Sequence, residues 1–402
     1  FEVVITNITR KEAPMNKFSS IFGQILQIFS KIDFHNAVIE TKAQKKAKGF
    51  TCWEQLVAML FCQLGQAHSL REICGGLATC LGKVKHLGIK DAPSRSTLSY
   101  ANEHRPWQLY EKTFYQLLGK CKPLTKGKKK FRFKNKLYSL DASVIDLCLS
   151  IFDWATYRKT KGAVKLHLLL DHEGYLPVFA NITEGNIHEV RIAQKLHFAP
   201  GSIVVIDRGY TDYGMFSQWT DDGVYFVTRQ KDNAVFKVVE ERPVPKHRNI
   251  IKDELIEFEG YYSRKKCSGV LRRIEIWDED KKEIIVLLTN HLAFGATTIS
   301  AIYKDRWQIE IFFKTLKQNL KIKTFVGTSK NALLIQIWTA LIAILLLKYL
   351  KFKSQFNWSL SNLVAMLRYN LFTYRDLWEW LNKPFEVAAI VPRGEQLMLE
   401  FK

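Results

Sequence analysis

Near residue 136 the apolar residues of this chain change their spacing, and that switch limits the folds open to it. Before it, "SIFGQILQIF", "TCWEQLVAMLFCQLG", "SLREICGGLATCLGKV" and "WQLYEKTFYQLLGKC" place apolar residues at i, i+3, i+4 and i+7, the spacing of one helix face. After it, "LYSLDASVIDLCL", "AVKLHLLLDHEG", "LPVFANITEG", "SIVVIDRGY" and "VYFVTRQ" read as strands, with a helical "EVRIAQKLH" between the third and the fourth. A helical layer therefore precedes a mixed α/β layer fold. Further on, "AVFKVVEE", "ELIEFEG", "VLRRIEIWDED" and "EIIVLLTN" read as an all-β insertion, set at about 224–292, and from about Thr297 to Phe372 the chain is helical again. The run Ala332–Leu347 includes Gln336 and Thr339 and falls short of the roughly 20 apolar residues of a membrane span, so a buried core helix is expected and no membrane partner.

The switch coincides with the densest positive charge. Nine basic residues stand between Lys120 and Lys136 with no acid among them, including Lys128, Lys129, Lys130 and Arg132, and Phe131 and Phe133 are interleaved. The whole chain has 60 Lys and Arg against 39 Asp and Glu, a formal charge of +21, which points to a polyanionic partner, nucleic acid first. Residues 121–136 are read as a phosphate-binding linker, because each neutralised phosphate releases counterions. Ahead of it, residues 15–120 form a helical unit expected to bind DNA. Within that unit "PSRSTLSYANEHR" looks like a capped helix start at Ser94 or Ser96, with Arg95 beside the cap; it suits a helix-turn-helix module and an ordinary bundle equally. Residues 1–14 precede "MNKFSSIFGQILQIF", which reads like a start followed by an amphipathic helix, so they are expected to be a leader outside the native protein.

The seven cysteines form no C-x-x-C pair and make no zinc spacing with the ten histidines; free thiols in a reducing cytosol are expected, and a cytoplasmic, nucleoid-associated location with them. A nucleotide site is excluded: there is no G-x-G-x-x-G, and "GGLATCLGKV" has Gly76 one residue too early and Val84 where a P-loop needs Ser or Thr.

Carboxylates carry the chemistry. Asp207 ends "SIVVID", a strand apolar on both faces, and ligands bind beyond the carboxyl ends of such strands. Asp141 lies inside "LYSLDASVIDL", where an ionised carboxylate costs several kcal/mol unless a cation pairs with it. In "TTISAIYKDRWQIEIFFKTLKQNL", Tyr303, Arg306, Glu310 and Lys317 fall within an arc of about 60° on one continuous helix, over about 21 Å. A solvated salt-bridge face would show the same spacing, since Arg306 and Glu310 are an i,i+4 pair. Three hard oxygen ligands suit Mg²⁺ or Mn²⁺ rather than zinc.

The spacing Tyr303, Arg306, Glu310, Lys317 is a Y-x2-R-x3-E-x6-K signature, and with "SLDAS" and "VVIDRGYTDYG" before it the chain resembles the DDE transposases of bacterial insertion sequences. "GQILQIF", "FTCWEQLVAMLFCQL", "SLREI" and "SRSTLSYANEHR" resemble the helical domain preceding the core in one branch, so the likeness runs from about Met15 to the C-terminal helices. The resemblance implies a ribonuclease-H-like core over 137–402, a mixed sheet flanked by helices and interrupted by the β insertion. It implies Asp141, Asp207 and Glu310 as catalytic acids and ligands of two Mg²⁺ ions per site, with Mn²⁺ able to substitute. It implies DNA contacts from Tyr303, Arg306, Lys317, Arg208, Tyr210 and Trp307. Cut-and-paste transposition through a hairpin, on terminal inverted repeats and target DNA, is implied too, with a homodimer in the synaptic complex. Some members carry a base-stacking Trp in the last strand of the insertion. Here that position is Ile285, with Trp277 or Phe294 as substitutes. A ribonuclease-H-type nuclease and an inactive DNA-binding relic are the competing readings.

Overall fold

The computed structural model describes residues 19–45, 49–80, 83–158, 161–246, 248–322 and 324–386, so the expected leader lies outside the described residues. Ten strands form one sheet: β1 (Leu137–Leu147), β2 (Thr156–Arg158), β3 (Lys161–Asp171), β4 (Leu176–Glu184), β5 (Ile203–Ile206), β6 (Tyr225–Arg229), β7 (Phe236–Glu241), β8 (Ile250–Phe258), β9 (Leu271–Asp278) and β10 (Glu283–Thr289). Among the described residues six α-helices precede it: α1 (Ile21–Leu26), α2 (Lys31–Glu40), α3 (Cys52–Leu64), α4 (Leu70–Ala78), α5 (Arg95–His104) and α6 (Gln108–Cys121). Within the sheet's connections lie α7 (Val190–Ala193), α8 (Tyr213–Asp221) and α9 (Tyr261–Lys266). After it come α10 (Ala296–Asp305), α11 (Trp307–Asn319), α12 (Lys330–Lys353), α13 (Leu360–Asn370) and α14 (Leu377–Asn382).

The core of the sheet runs β4-β3-β1-β5-β6. Strands β4, β3 and β1 are antiparallel neighbours, whereas β1–β5 and β5–β6 are parallel. This is the ribonuclease-H-like order that the sequence implied. Strand β6 corrects the expected insertion boundary: it pairs in register with β5, Val205 opposite Val227, and so belongs to the core. The inserted strands begin only at β7. They form no separate sheet, because β10 pairs antiparallel with β6 and β9, β8 and β7 continue outward. Apolar strand faces drive this: Ile274, Ile276, Ile285 and Leu287 share one buried cluster with Ile203, Val205 and Val227.

The N-terminal helices are also less separate than expected. Residues of α1, α3, α4, α5 and α6 share one buried cluster with α11, α12 and the β1–β3–β4 face. At its centre is α12, whose apolar window is wholly buried inside the protein although long enough to cross a membrane. Trp338 of α12 packs 5.4 Å from Phe114 and stacks 6.2 Å from Trp107, so α6 leans on it directly. Gln336 is tolerated because its amide is satisfied: Nε2 donates to the carbonyls of Lys321 and Thr324, both at 2.7 Å, and Oε1 accepts from Val326 N–H. Ser94 is the cap of α5, its Oγ accepting from Thr97 N–H at 3.1 Å. The stretch from Thr79 to Ser94 between α4 and α5 is too long for the short turn of a helix-turn-helix, whereas only Arg105, Pro106 and Trp107 separate α5 from α6. All seven cysteines are free, five of them buried.

Candidate active site

Strand β1 brings its odd-numbered side chains to the face covered by α11 and α12, and Asp141 is on that face. Its Oδ1 accepts from Ala142 N–H at 2.8 Å, and Oδ2 lies 3.4 Å from Arg306 Nη1. Burial pushes the Asp141 carboxyl up to about 6; Arg306 draws it down, while Glu310 and Asp207 push it further up. Burial is the largest of these causes, so Asp141 sits in a poorly hydrated place within the electrostatic reach of the other two acids. Asp207 is the first residue past β5, at the carboxyl edge of the parallel strands, where the Arg208–Tyr210 turn begins.

The third acid arrives on a helix, but not on the one continuous helix the spacing predicted. The chain breaks at Arg306, between α10 and α11. Arg306 N–H donates to Tyr303 and Ile309 N–H to Arg306, two i,i+3 bonds that tighten the turn. The break lets Arg306 turn toward the sheet, where Nη2 meets Glu310 at 2.6 Å while Nη1 faces Asp141. One guanidinium thus bridges the strand acid and the helix acid. Its Nε is buried with no partner among the described residues.

The remaining expected residues divide. Tyr303 is buried, with the Arg306 guanidinium 5.6 Å from its ring centre, and burial raises its phenol. Trp307 is 55 % exposed and, with Asp207, Tyr303, Arg306, Glu310 and Trp277, lines a cleft of about 920 Å³. Lys317 donates to the carbonyl of Val144 on β1 at 2.8 Å, so it also ties α11 to the catalytic strand. Arg208 is exposed and paired with Asp232 at 3.3 Å. Tyr210 is a correction. It is 1 % exposed, packed in a buried cluster with Phe216 and Phe226, and its hydroxyl has no partner among the described residues, so it offers no surface to DNA in this structure. Of the basic linker, Lys129 and Arg132 are exposed, Lys128 stands 4.4 Å from the Phe352 ring, and Lys130 is paired at 2.6 Å with the buried Asp305. Arg95 is exposed at the start of α5, far along the chain's helical layer. Of the aromatics weighed against Ile285, Phe294 stacks on His291 at 3.8 Å, whereas Trp277 is 40 % exposed in the cleft.

Two features escaped sequence reasoning. Glu189 adds a fourth carboxylate to this neighbourhood: like Asp207, it lies within 4 Å of the space a Cβ on Gly209 would fill, and Lys165 pairs with Glu189 at 3.3 Å. An array of buried Ser139, His172 and Asp305 with half-buried Tyr175 lies directly behind Arg306. Neither had a local signal, since the partners lie far apart in the chain.

The donor set of Asp141, Asp207 and Glu310 fits a hard divalent cation: three carboxylates, one destabilised by burial and two sharing the positive charge of Arg306. Among the described residues, no three acids, histidines or cysteines are yet close enough together to hold an ion. Arg306 stands between two of the acids.

A ribonuclease-H-like sheet that presents acids from its first strand, its first parallel neighbour and a later helix defines a phosphodiester-transfer core. The family described as Transposase DDE domain matches residues 117–346, more than half of the chain, and the chain belongs to that family. It is an enzyme of DNA cleavage and strand transfer, an insertion-sequence transposase, and transposases of this family generally use divalent metal ions. Residues 17–90 match a second family, described only as a domain of unknown function. The chain is 29% identical over 290 residues to a Sinorhizobium fredii protein named as the transposase y4zB, covering 71% of this chain and 80% of that one. It is 27% identical over 277 residues to a Geobacillus stearothermophilus protein named as the transposase for insertion sequence element IS5377, covering 68% and 72%. A cryo-EM structure of the piggyBac transposase synaptic complex with hairpin DNA superposes at a TM-score of 0.43 and 9% identity, covering 92% of this chain and 81% of that one.

Proposed function

We propose that Asp141, Asp207 and Glu310 are the catalytic acids, and that the protein excises and reinserts its element by cut-and-paste chemistry through a hairpin. The observation that carries this reading is the Arg306 bridge, which holds the β1 acid and the α11 acid together at the cleft that Asp207 lines. Two Mg²⁺ ions, or Mn²⁺ in their place, held by the three acids would supply Lewis-acid activation of the attacking oxygen and stabilise the leaving one.

The protein's own residues bind and orient the DNA. Trp307 and Trp277 offer exposed rings on the two walls of the cleft, the latter free to stack on an unpaired base. Arg306 carries a charge that a phosphate oxygen can share, and Lys317 reaches the same strand at Val144, three residues beyond Asp141. Tyr303 supports Arg306 from beneath. Lys128, Lys129, Arg132 and, at a distance, Arg95 supply sequence-tolerant phosphate contacts to duplex ends and target. A homodimer, each copy acting on one element end beside the nucleoid, completes the reading. The test is cleavage of a duplex carrying the terminal repeat by Asp141→Ala, Asp207→Ala and Glu310→Gln. All three should bind DNA normally and cleave it more than about a hundredfold more slowly, the usual scale for losing an essential group. A variant that cleaves at the wild-type rate removes its residue from the set.

A further inference from the structure

Behind Arg306 lies a chain of buried polar contacts that the catalytic acids do not use. Ser139 Oγ meets His172 Nε2 at 2.7 Å, and His172 Nδ1 meets Asp305 Oδ2 at 2.7 Å. Tyr175 donates to Asp305 at 3.1 Å, and Lys130 of the basic linker caps the other oxygen at 2.6 Å. Asp305 is 1 % exposed, His172 4 % and Ser139 wholly buried. The geometry is that of a serine–histidine–aspartate hydrolase, but Ser139 Oγ is sealed in the core, where no substrate can reach it.

Its position shows what it can do instead. Ser139 is two residues before Asp141 on the same face of β1, and Asp305 is the residue before Arg306, at the break between α10 and α11. His172 and Tyr175 come from the β3–β4 connection. The array therefore fastens the break to β1 from behind, while Arg306 fastens it from the front. Burial alone would raise the Asp305 carboxyl, and the hydrogen bonds from His172 and Lys130 outweigh it. Lys130 is the one member with most of its side chain in solvent, 57 % exposed, and it comes from the segment richest in positive charge.

We propose that Asp305, with His172 and Ser139, is a positioning residue that sets Arg306 over Asp141, and that Lys130 makes this setting depend on the basic linker. A phosphate that draws Lys130 away weakens the hold on Asp305 and so on the α10–α11 break. DNA on the linker is thereby felt at the acids without touching them. The inference rests on the transposase reading only for its consequence in cleavage; the coupling itself is a property of the protein alone.

The test uses the full chain as wild type, Lys130→Ala, Lys130→Arg, Asp305→Asn and the Lys130→Ala/Asp305→Asn double variant. Amide deuterium uptake over residues 303–310 is read without DNA, and single-turnover cleavage at saturating DNA is read beside it. Charge-assisted hydrogen bonds are the strong ones, so Lys130→Ala and Asp305→Asn should each speed exchange at the break about tenfold. The double variant should be no faster than Asp305→Asn, because Lys130 acts through that carboxylate, and Lys130→Arg should restore the wild-type value. Additive effects, or unchanged exchange in Lys130→Ala, overturn the inference. If Asp305→Asn does not fold, the Lys130 pair decides alone: faster exchange with alanine and rescue by arginine support the coupling, and no difference refutes it. A wild type that exchanges as expected yet never cleaves DNA counts against the transposase chemistry and leaves the coupling standing.

Discussion

Replacing Asp141 by asparagine should make the protein more stable while ending its chemistry. Burial raises the Asp141 carboxyl from 3.8 to about 6 even though Arg306 pulls it down. A carboxyl raised in this way keeps its proton longer in the folded state than in the unfolded chain. Below pH 3.8 both states are protonated and the group contributes no difference. As pH rises from there to about 6, the unfolded chain ionises first and stability falls; above that the full penalty stands. The gap is worth about 3 kcal/mol. The side chain is only 18 % exposed, so little of this is screened by solvent. An asparagine keeps the acceptor for Ala142 N–H, and Arg306 keeps Glu310 at 2.6 Å. Urea unfolding of metal-free Asp141→Asn and wild type, from pH 4.5 to 8, should show a gain that grows with pH and levels off at about 2–3 kcal/mol near pH 7. Equal or lower stability of the variant at pH 7.5, or a gain that does not vary with pH, would show that Asp141 is not held in a desolvated site.

Arg306→Ala leaves two acids without their shared cation, so it should cost about 2–4 kcal/mol in unfolding experiments and abolish cleavage; a melt within about 1 °C of wild type would mean the bridge is solvent-screened. Lys317→Ala should slow single-turnover cleavage more than about tenfold with a stability loss near 1 kcal/mol, the scale of its hydrogen bond to Val144, and unaltered cleavage would make it purely structural. Trp277→Ala should impair hairpin formation without shifting the melt, whereas Phe294→Ala, half-buried between Phe133 and His291, should destabilise by roughly 2 kcal/mol; the reverse pattern would exchange their roles. A fragment ending at Lys136 should lack a cooperative melt, because α6 and α3 bury their apolar faces against the missing α12; a sharp transition would show that the helical layer folds alone.

What the sequence revealed followed periodicity and local chemistry. Asp141 stood out as a charge inside an apolar strand, Asp207 as the end of another, and Glu310 by its spacing from Arg306. Each signal spans a few residues. The break at Arg306 had no such signal: its backbone keeps helical angles, and only the pull of partners on β1 and the β3–β4 connection opens it. Tyr210 was expected at the DNA because it belongs to the D-R-G-Y block that carries the resemblance; the structure leaves Arg208 and Gly209 exposed but swings the Tyr210 ring into the core beneath β5. Strand β6 read correctly as a strand of the α/β layer, but the bounds set at about 224–292 took it into the insertion, because nothing local in "VYFVTRQ" marks where the core ends. The helical layer looked independent for the same kind of reason. Its partner, α12, lies more than 200 residues away, and nothing in either segment names the other.

The central claim is that these acids join DNA as well as cut it. The direct measurement is transfer of a labelled terminal-repeat end into a supercoiled plasmid, in Mg²⁺ and in Mn²⁺, by wild type and by Asp141→Asn, Asp207→Asn and Glu310→Gln. Wild type should give covalently joined, labelled plasmid in either metal, and each variant should bind the end and join none. Cleaved ends that never become joined would make the protein a nuclease, and joining that survives loss of any one acid would contradict the three-acid site.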